Sequence, residues 1–178
     1  MSKRNLKLWQ FIGFAFTSLI GTLLHFLYTW TGEAVWSAPF SAVNESIWEH
    51  MKLIFVPMFI FAIIEKKYLN EKYDCFWKIK LKGILLALLL IPVIYYAYNG
   101  AFGKSPDWFN IAIFFITAAI VYIYETRLFG ENIYCKNSTA PIIILCIIAL
   151  LFVIFTFTPP HIPLFSDPAT GLYGIQMK

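Results

Sequence analysis

Charge is what this chain has least of. Asp, Glu, Lys and Arg make up only 13% of its 178 residues, about half the share found in soluble domains. The few charges are clustered, so long stretches carry none. That excludes an ordinary soluble globule. Cysteine is also scarce: Cys75, Cys135 and Cys146 are the only three. No His-Glu-x-x-His, Gly-x-Ser-x-Gly or P-loop spacing occurs, so none of the metalloprotease, serine-hydrolase or nucleotide-binding signatures applies. There is no internal repeat, inverted or direct, which speaks against a self-contained alternating-access transporter.

Apolar residues fill the space that charge leaves. They make up 60% of the chain, and aromatics alone 19%. A membrane span needs roughly 20 mainly apolar residues. Five segments qualify, 8–30, 47–64, 81–98, 108–124 and 140–158, and the shorter ones are expected to run past these limits. The expected fold class is all-α: a polytopic membrane helix bundle of about five transmembrane helices, forming one domain over 1–178. The basic start at Lys3, Arg4 and Lys7 suggests a signal peptide. The apolar core that follows is too long and lacks an Ala-x-Ala site, so a retained helix is expected.

Loop charge predicts orientation. With the amino terminus cytoplasmic, Lys3, Arg4, Lys7, Lys66, Lys67, Lys72, Lys78, Lys80, Lys82, Arg127 and Lys136 fall inside, and only Lys52, Lys104 and Lys178 outside. The net charge of +4 is then a topology signal and no nucleic-acid footprint. Trp30, Trp36, Trp48 and Trp108 fall at the outer interface, and Trp9 and Trp77 at the inner one, as an aromatic belt requires. Cys75 and Cys135 fall on the reducing side, so no disulfide framework is expected. The basic stretch 65–82 is expected to meet anionic lipid, and Glu125 to pair with Arg127 or with lipid. Membrane lipid is thus the expected partner, with a homo-oligomer as a further alternative.

The charged stretch with most to explain is Asn44-Glu45-Ser46-Ile47-Trp48-Glu49-His50-Met51-Lys52. It stands at the mouth of the second apolar segment, where charge is costly and usually has a use. Asn44 is a good helix N-cap, while Ser46 with Glu49 fits a capping box, and the sequence does not choose between them. The helix dipole accounts for Glu45 and Glu49 near the first turn. It does not account for His50 and Lys52. Gly13, Thr17, Gly21 and His25 follow a four-residue spacing on the first segment, a small-residue stripe that lets another helix approach. His25 therefore faces either a packing groove or a ligand. Pro57 and Pro92 break one helical hydrogen bond each, which permits a kink and is also simply common in membrane helices.

The proline-rich tail 159–178 cannot be helical, yet it carries Ile162, Leu164, Phe165 and Tyr173. It is expected to fold back over the outer mouth as a lid. That brings His25, His50 and His161 to one membrane side, together with Glu45, Glu49, Lys52 and Asp167. Three uses fit such a set. One is acid–base catalysis by Glu49 and His50. A second is a divalent metal held by His50, Glu49 and His161, which Lys52 would oppose. The third is a ligand-binding cup of His25, Asn44, Glu45, Trp48, Lys52, Tyr98, His161 and Asp167.

The block from Gly32-Glu33 through Phe40-Ser41-Ala42-Val43-Asn44-Glu45-Ser46-Ile47-Trp48-Glu49-His50-Met51-Lys52 resembles the signature of an uncharacterised family of small bacterial multi-pass membrane proteins. The tail from Pro159-Pro160-His161-Ile162-Pro163-Leu164-Phe165 through Asp167-Pro168, Thr170-Gly171 and Tyr173-Gly174 resembles its second signature. The resemblance implies the fold over the whole chain and brings no activity, cofactor or catalytic residue with it. The expected function is therefore a cell-membrane protein with an outward-facing polar pocket that binds or transports a small polar or lipid-head-group ligand. The alternatives are a membrane-embedded hydrolase or transferase, metal-assisted or not, and a structural or regulatory membrane partner.

Overall fold

The computed structural model describes residues 3–69, 75–131 and 138–175. Five α-helices account for most of them: α1 (Lys3–Trp30), α2 (Ile47–Leu69), α3 (Phe76–Phe102), α4 (Asp107–Gly130) and α5 (Ala140–Phe157). All five are long and apolar enough to cross a membrane. A single 3-10 turn, Pro163–Phe165, follows α5. Among the described residues there is no strand, only one isolated bridge between Ser166 and Tyr173.

The helices α1 to α4 run past the apolar segments that announce them. Lys, Arg and Glu are good helix formers, and their long stems can lie along apolar surface while the heads reach water. The flanking charged turns therefore stay helical.

The most apolar helix is the least buried, as in a bundle solvated by lipid tails. The most apolar helix, α5, has 17% of its most apolar stretch buried inside the protein, whereas α2 has 61%. Helix α2 is the centre. It touches α1, α3, α4 and α5 as well as the 3-10 turn. Its Ile54, Phe55, Met58 and Phe61 meet Ile84, Ala87, Val121, Leu145 and Phe152 in the main core. A second apolar cluster at the opposite end joins Leu6, Leu69, Phe76, Ile79, Leu128 and Phe129.

The small-residue stripe of α1 faces the seam between α2 and α4. A Cβ on Gly13 would collide with the Phe61 and Tyr122 rings, and one on Gly21 would stand 2.8 Å from the Leu53 carbonyl oxygen. Pro57 has no N–H for that carbonyl, and the missing side chain at Gly21 lets α1 close over it. Thr17 Oγ1 lies 2.8 Å from Tyr122 Oη, adding one hydrogen bond across the same seam.

One chemical expectation is corrected. Cys75 is disulfide-bonded, while Cys146 on α5 is a free, exposed thiol. The expectation of no disulfide followed from compartment chemistry, which does not decide which sulfurs the fold brings together. Cys135 lies outside the described residues.

Candidate functional site

The stretch 44–52 forms the start of α2, and its residues divide between two sides. Helix α2 begins at Ile47 with Ser46 as its cap: the Glu49 backbone N–H points at Ser46 Oγ over 3.4 Å. The Glu49 carboxylate does not complete a capping box. The Ser46 N–H donates instead to Asn44 Oδ1 at 2.9 Å. Asn44 Nδ2 donates to the Gly174 carbonyl at 3.0 Å, which ties the tail to the mouth of the bundle. Two further contacts hold the tail there. Asp167 accepts the Ala169 and Thr170 N–H groups at 2.7 and 3.2 Å and faces the Glu45 N–H at 3.4 Å. Phe165 lies 4.7 Å from Trp48, ring to ring.

The inner side of the stretch is a closed polar network. Glu49 and Lys52 are buried and lie 2.6 Å apart. The Lys52 ammonium also donates to the Ala38 carbonyl and to Thr156 Oγ1, both at 2.8 Å. Its three protons thus meet three acceptors. Glu49 takes the Val43 N–H at 3.1 Å through Oε2, and its Oε1 lies 3.1 Å from Thr156 Oγ1. One ion pair therefore joins α2, α5 and the 31–46 loop with every charge matched.

The outer side faces a cavity of about 530 Å³ between α1, α2, α3 and α4. Its body is apolar, with Ile91 of α3, Leu53 of α2 and Phe114 of α4 among its walls. Phe26 on α1 and Ile111 and Phe115 on α4 line it while remaining exposed, so the cavity opens sideways between these two helices. Its charged and most of its polar groups gather at the mouth end: His25, Glu45, His50, Lys104, Ser105, Asp107 and Asn110, with Pro168 and Ala169 of the tail at the rim. His25 Nε2 lies 3.8 Å from Glu45 Oε1, and His50 Nε2 lies 3.5 Å from Glu45 Oε2. The ligand atoms of His25, Glu45 and His50 all lie within 4.8 Å of one another, close enough to hold one metal ion. Ser105 Oγ donates to Asn110 Oδ1 at 2.8 Å, beside the same cavity.

Several expected site residues stand elsewhere. Glu49 and His50 are neighbours on a helix, about 100° apart around its axis, so one enters the core while the other faces the cavity. Lys52 belongs to the buried pair and does not reach the cavity. The expected metal set of His50, Glu49 and His161 is not brought together. His161 is exposed on the tail, 4.7 Å from the Tyr173 ring. Trp48 packs among Phe152, Phe155 and Phe165. Tyr98 stacks on Phe109 at 4.0 Å, and it is Tyr95 that lines the cavity. Asn44 and Asp167 fasten the tail.

At the opposite end lies a polar cluster that the loop assignments did not anticipate. Lys80 Nζ contacts Glu65 and lies 2.5 Å from Glu125 Oε2. Gln10 donates to Glu65 at 2.6 Å. All four side chains are buried. Lys80 also lies 5.6 Å from the centres of the Tyr122 and Phe129 rings. Lys80 therefore does not face lipid head groups, and Glu125 pairs with Lys80 and not with Arg127. Expected spans that end at Ile64 and Tyr124 and begin at Leu81 stop one residue short of each of these charges.

No curated protein and no solved structure matches this chain. A family model described only as a family of unknown function matches residues 1–175, and the chain belongs to that family, DUF6512.

Proposed function

We propose that this is a multi-pass protein of the cell membrane, amino terminus in the cytoplasm, whose outward-opening cavity binds an amphiphile. The ligand class is lipid-like: an apolar chain beside a polar head group. The observation that carries this is the cavity of about 530 Å³, apolar in its body and polar at the mouth end. A small polar ligand would leave the Ile91, Leu53 and Phe114 walls facing nothing apolar. Burying a hydrocarbon chain there contributes about 0.8 kcal/mol for each CH₂ removed from water. The exposed Phe26, Ile111 and Phe115 give such a chain a route from the bilayer. The orientation rests on the Lys and Arg bias, eleven of fourteen in the segments assigned to the cytoplasmic side from the sequence.

A phospholipid with a diazirine on its acyl chain, photolysed in liposomes that hold the protein, tests this. Labelling is expected to concentrate on Phe26, Ile111 and Phe115, above that of the exposed Ile147 on α5. It should fall in Thr22→Trp, which fills the cavity from α1. Even labelling of all lipid-accessible side chains, unchanged by Thr22→Trp, would contradict the proposal. For orientation, an impermeant thiol reagent is expected to reach a cysteine at the exposed Thr170 and not one at the exposed Ser138, with the native cysteines replaced.

A further inference from the structure

We infer that His25, Glu45 and His50 form a binding site for a divalent transition-metal ion of the zinc type, at the polar end of the cavity. The three come from three places: the last turns of α1, the loop before α2, and the first turn of α2. Two imidazoles and one carboxylate make a ligand set that holds zinc with a fourth position open. An ion bound at zinc–ligand lengths in a tetrahedral arrangement sets its ligand atoms roughly 3.3–3.4 Å apart. Glu45 already stands 3.5 Å from His50 and 3.8 Å from His25. The set as it stands spans up to 4.8 Å, so an ion would draw the two imidazoles together as well as the Glu45 side chain, which is 55% exposed.

The orientation of His50 is the second, independent observation. Its Nδ1 lies 2.9 Å from the Ser46 carbonyl oxygen. A carbonyl oxygen only accepts, so the hydrogen of this contact sits on Nδ1. In the neutral ring Nε2 then presents a lone pair, and that lone pair faces the Glu45 carboxylate. Two electron-rich atoms opposed at 3.5 Å repel each other unless a cation or a hydrogen-bond donor stands between or beside them, and a metal ion held by both turns that repulsion into attraction. Metal-binding histidines are held in this way, with the far ring N–H on a backbone carbonyl. The competing cation is a proton on Nε2, and the experiment separates the two.

The site shares the cavity with the proposed amphiphile, but its evidence is its own three side chains. Protein purified without a histidine tag and stripped with a chelator is titrated with Co²⁺, with Zn²⁺ as competitor. The expected result is one ion per chain, visible absorption bands of a low-symmetry site, and displacement by Zn²⁺. Loss of a supporting hydrogen bond alone weakens metal sites about 10–100-fold, so His25→Ala, Glu45→Gln and His50→Ala should each weaken binding at least that much. His161→Ala should bind as the parent does. Folding of each variant is checked by its denaturation midpoint. If His50→Ala does not fold, His25→Ala and Glu45→Gln decide, since both alter partly exposed groups. Absence of the bands, or bands of equal affinity in the three variants, would overturn the inference and leave a protonated histidine as the cation. Metal binding without photolabelling of the cavity would overturn only the amphiphile reading, and the reverse pattern only the metal site.

Discussion

The two sides of the short stretch 45–52 treat charge in opposite ways. On the inner side, Glu49 and Lys52 are sealed from solvent, and the three protons of the ammonium meet three acceptors. On the outer side, Glu45 meets two histidines at 3.8 and 3.5 Å, partly exposed, beside a cavity. A closed pair suits a fastener, since its groups are buried and already engaged with one another. An open set suits binding, because its groups are near one another without saturating one another. Residue type alone does not separate the two uses. Surroundings do.

The largest effect should come from opening the closed pair. Glu49→Gln or Lys52→Met leaves one charge buried without its counter-ion, and either is expected to cost about 3–5 kcal/mol. Denaturation midpoints in detergent check this. The double variant Glu49→Leu/Lys52→Met should recover much of that loss, because no lone charge is then buried. A double variant as unstable as the singles would show that the pair has no such role.

A similar loss is expected at the other end, with a useful asymmetry. Lys80→Met leaves Glu65 and Glu125 buried side by side and should cost about 3–5 kcal/mol. Glu125→Gln leaves one acid with one base, Glu65 with Lys80, and should cost clearly less. Equal losses would contradict the cluster as described. Next in size, Thr156→Val removes the hydroxyl that receives Lys52 and approaches Glu49. It is expected to lower stability by about 1–3 kcal/mol, the cost of an unsatisfied buried partner. The smallest change in stability belongs to Glu45→Gln. Its side chain is half exposed, and exposed ion pairs contribute about 0–1 kcal/mol.

Much of the fold was legible in the sequence because a span declares itself over twenty residues of oil. All five helices stand where the apolar segments predicted them. Their ends were not legible, and neither was the chemistry at those ends. Charge was the boundary signal, so spans drawn up to a charge place it in a loop. Glu65, Lys80 and Glu125 were lost in this way, since each lies one residue beyond an expected limit and yet inside its helix. A carboxylate directly after Phe-Ala-Ile-Ile, as at Glu65, or after Val-Tyr-Ile-Tyr, as at Glu125, is the signal that was available. At the mouth the residues of interest lie close together in the stretch 44–52, but their partners depend on the few ångströms that tertiary packing decides. Nothing in the spacing of Glu45, Glu49 and His50 says which acid meets which base.

The most direct test of the division between the two sides sets Glu49→Gln against Glu45→Gln in the same preparation, reading denaturation midpoint and Co²⁺ affinity together. Glu49→Gln is expected to lose stability and, wherever it remains folded, to bind Co²⁺ as the parent does. Glu45→Gln is expected to keep its midpoint and lose the ion. If Glu45→Gln instead unfolds the protein, or Glu49→Gln abolishes Co²⁺ binding while the fold stays stable, the two sides do not divide the work in this way.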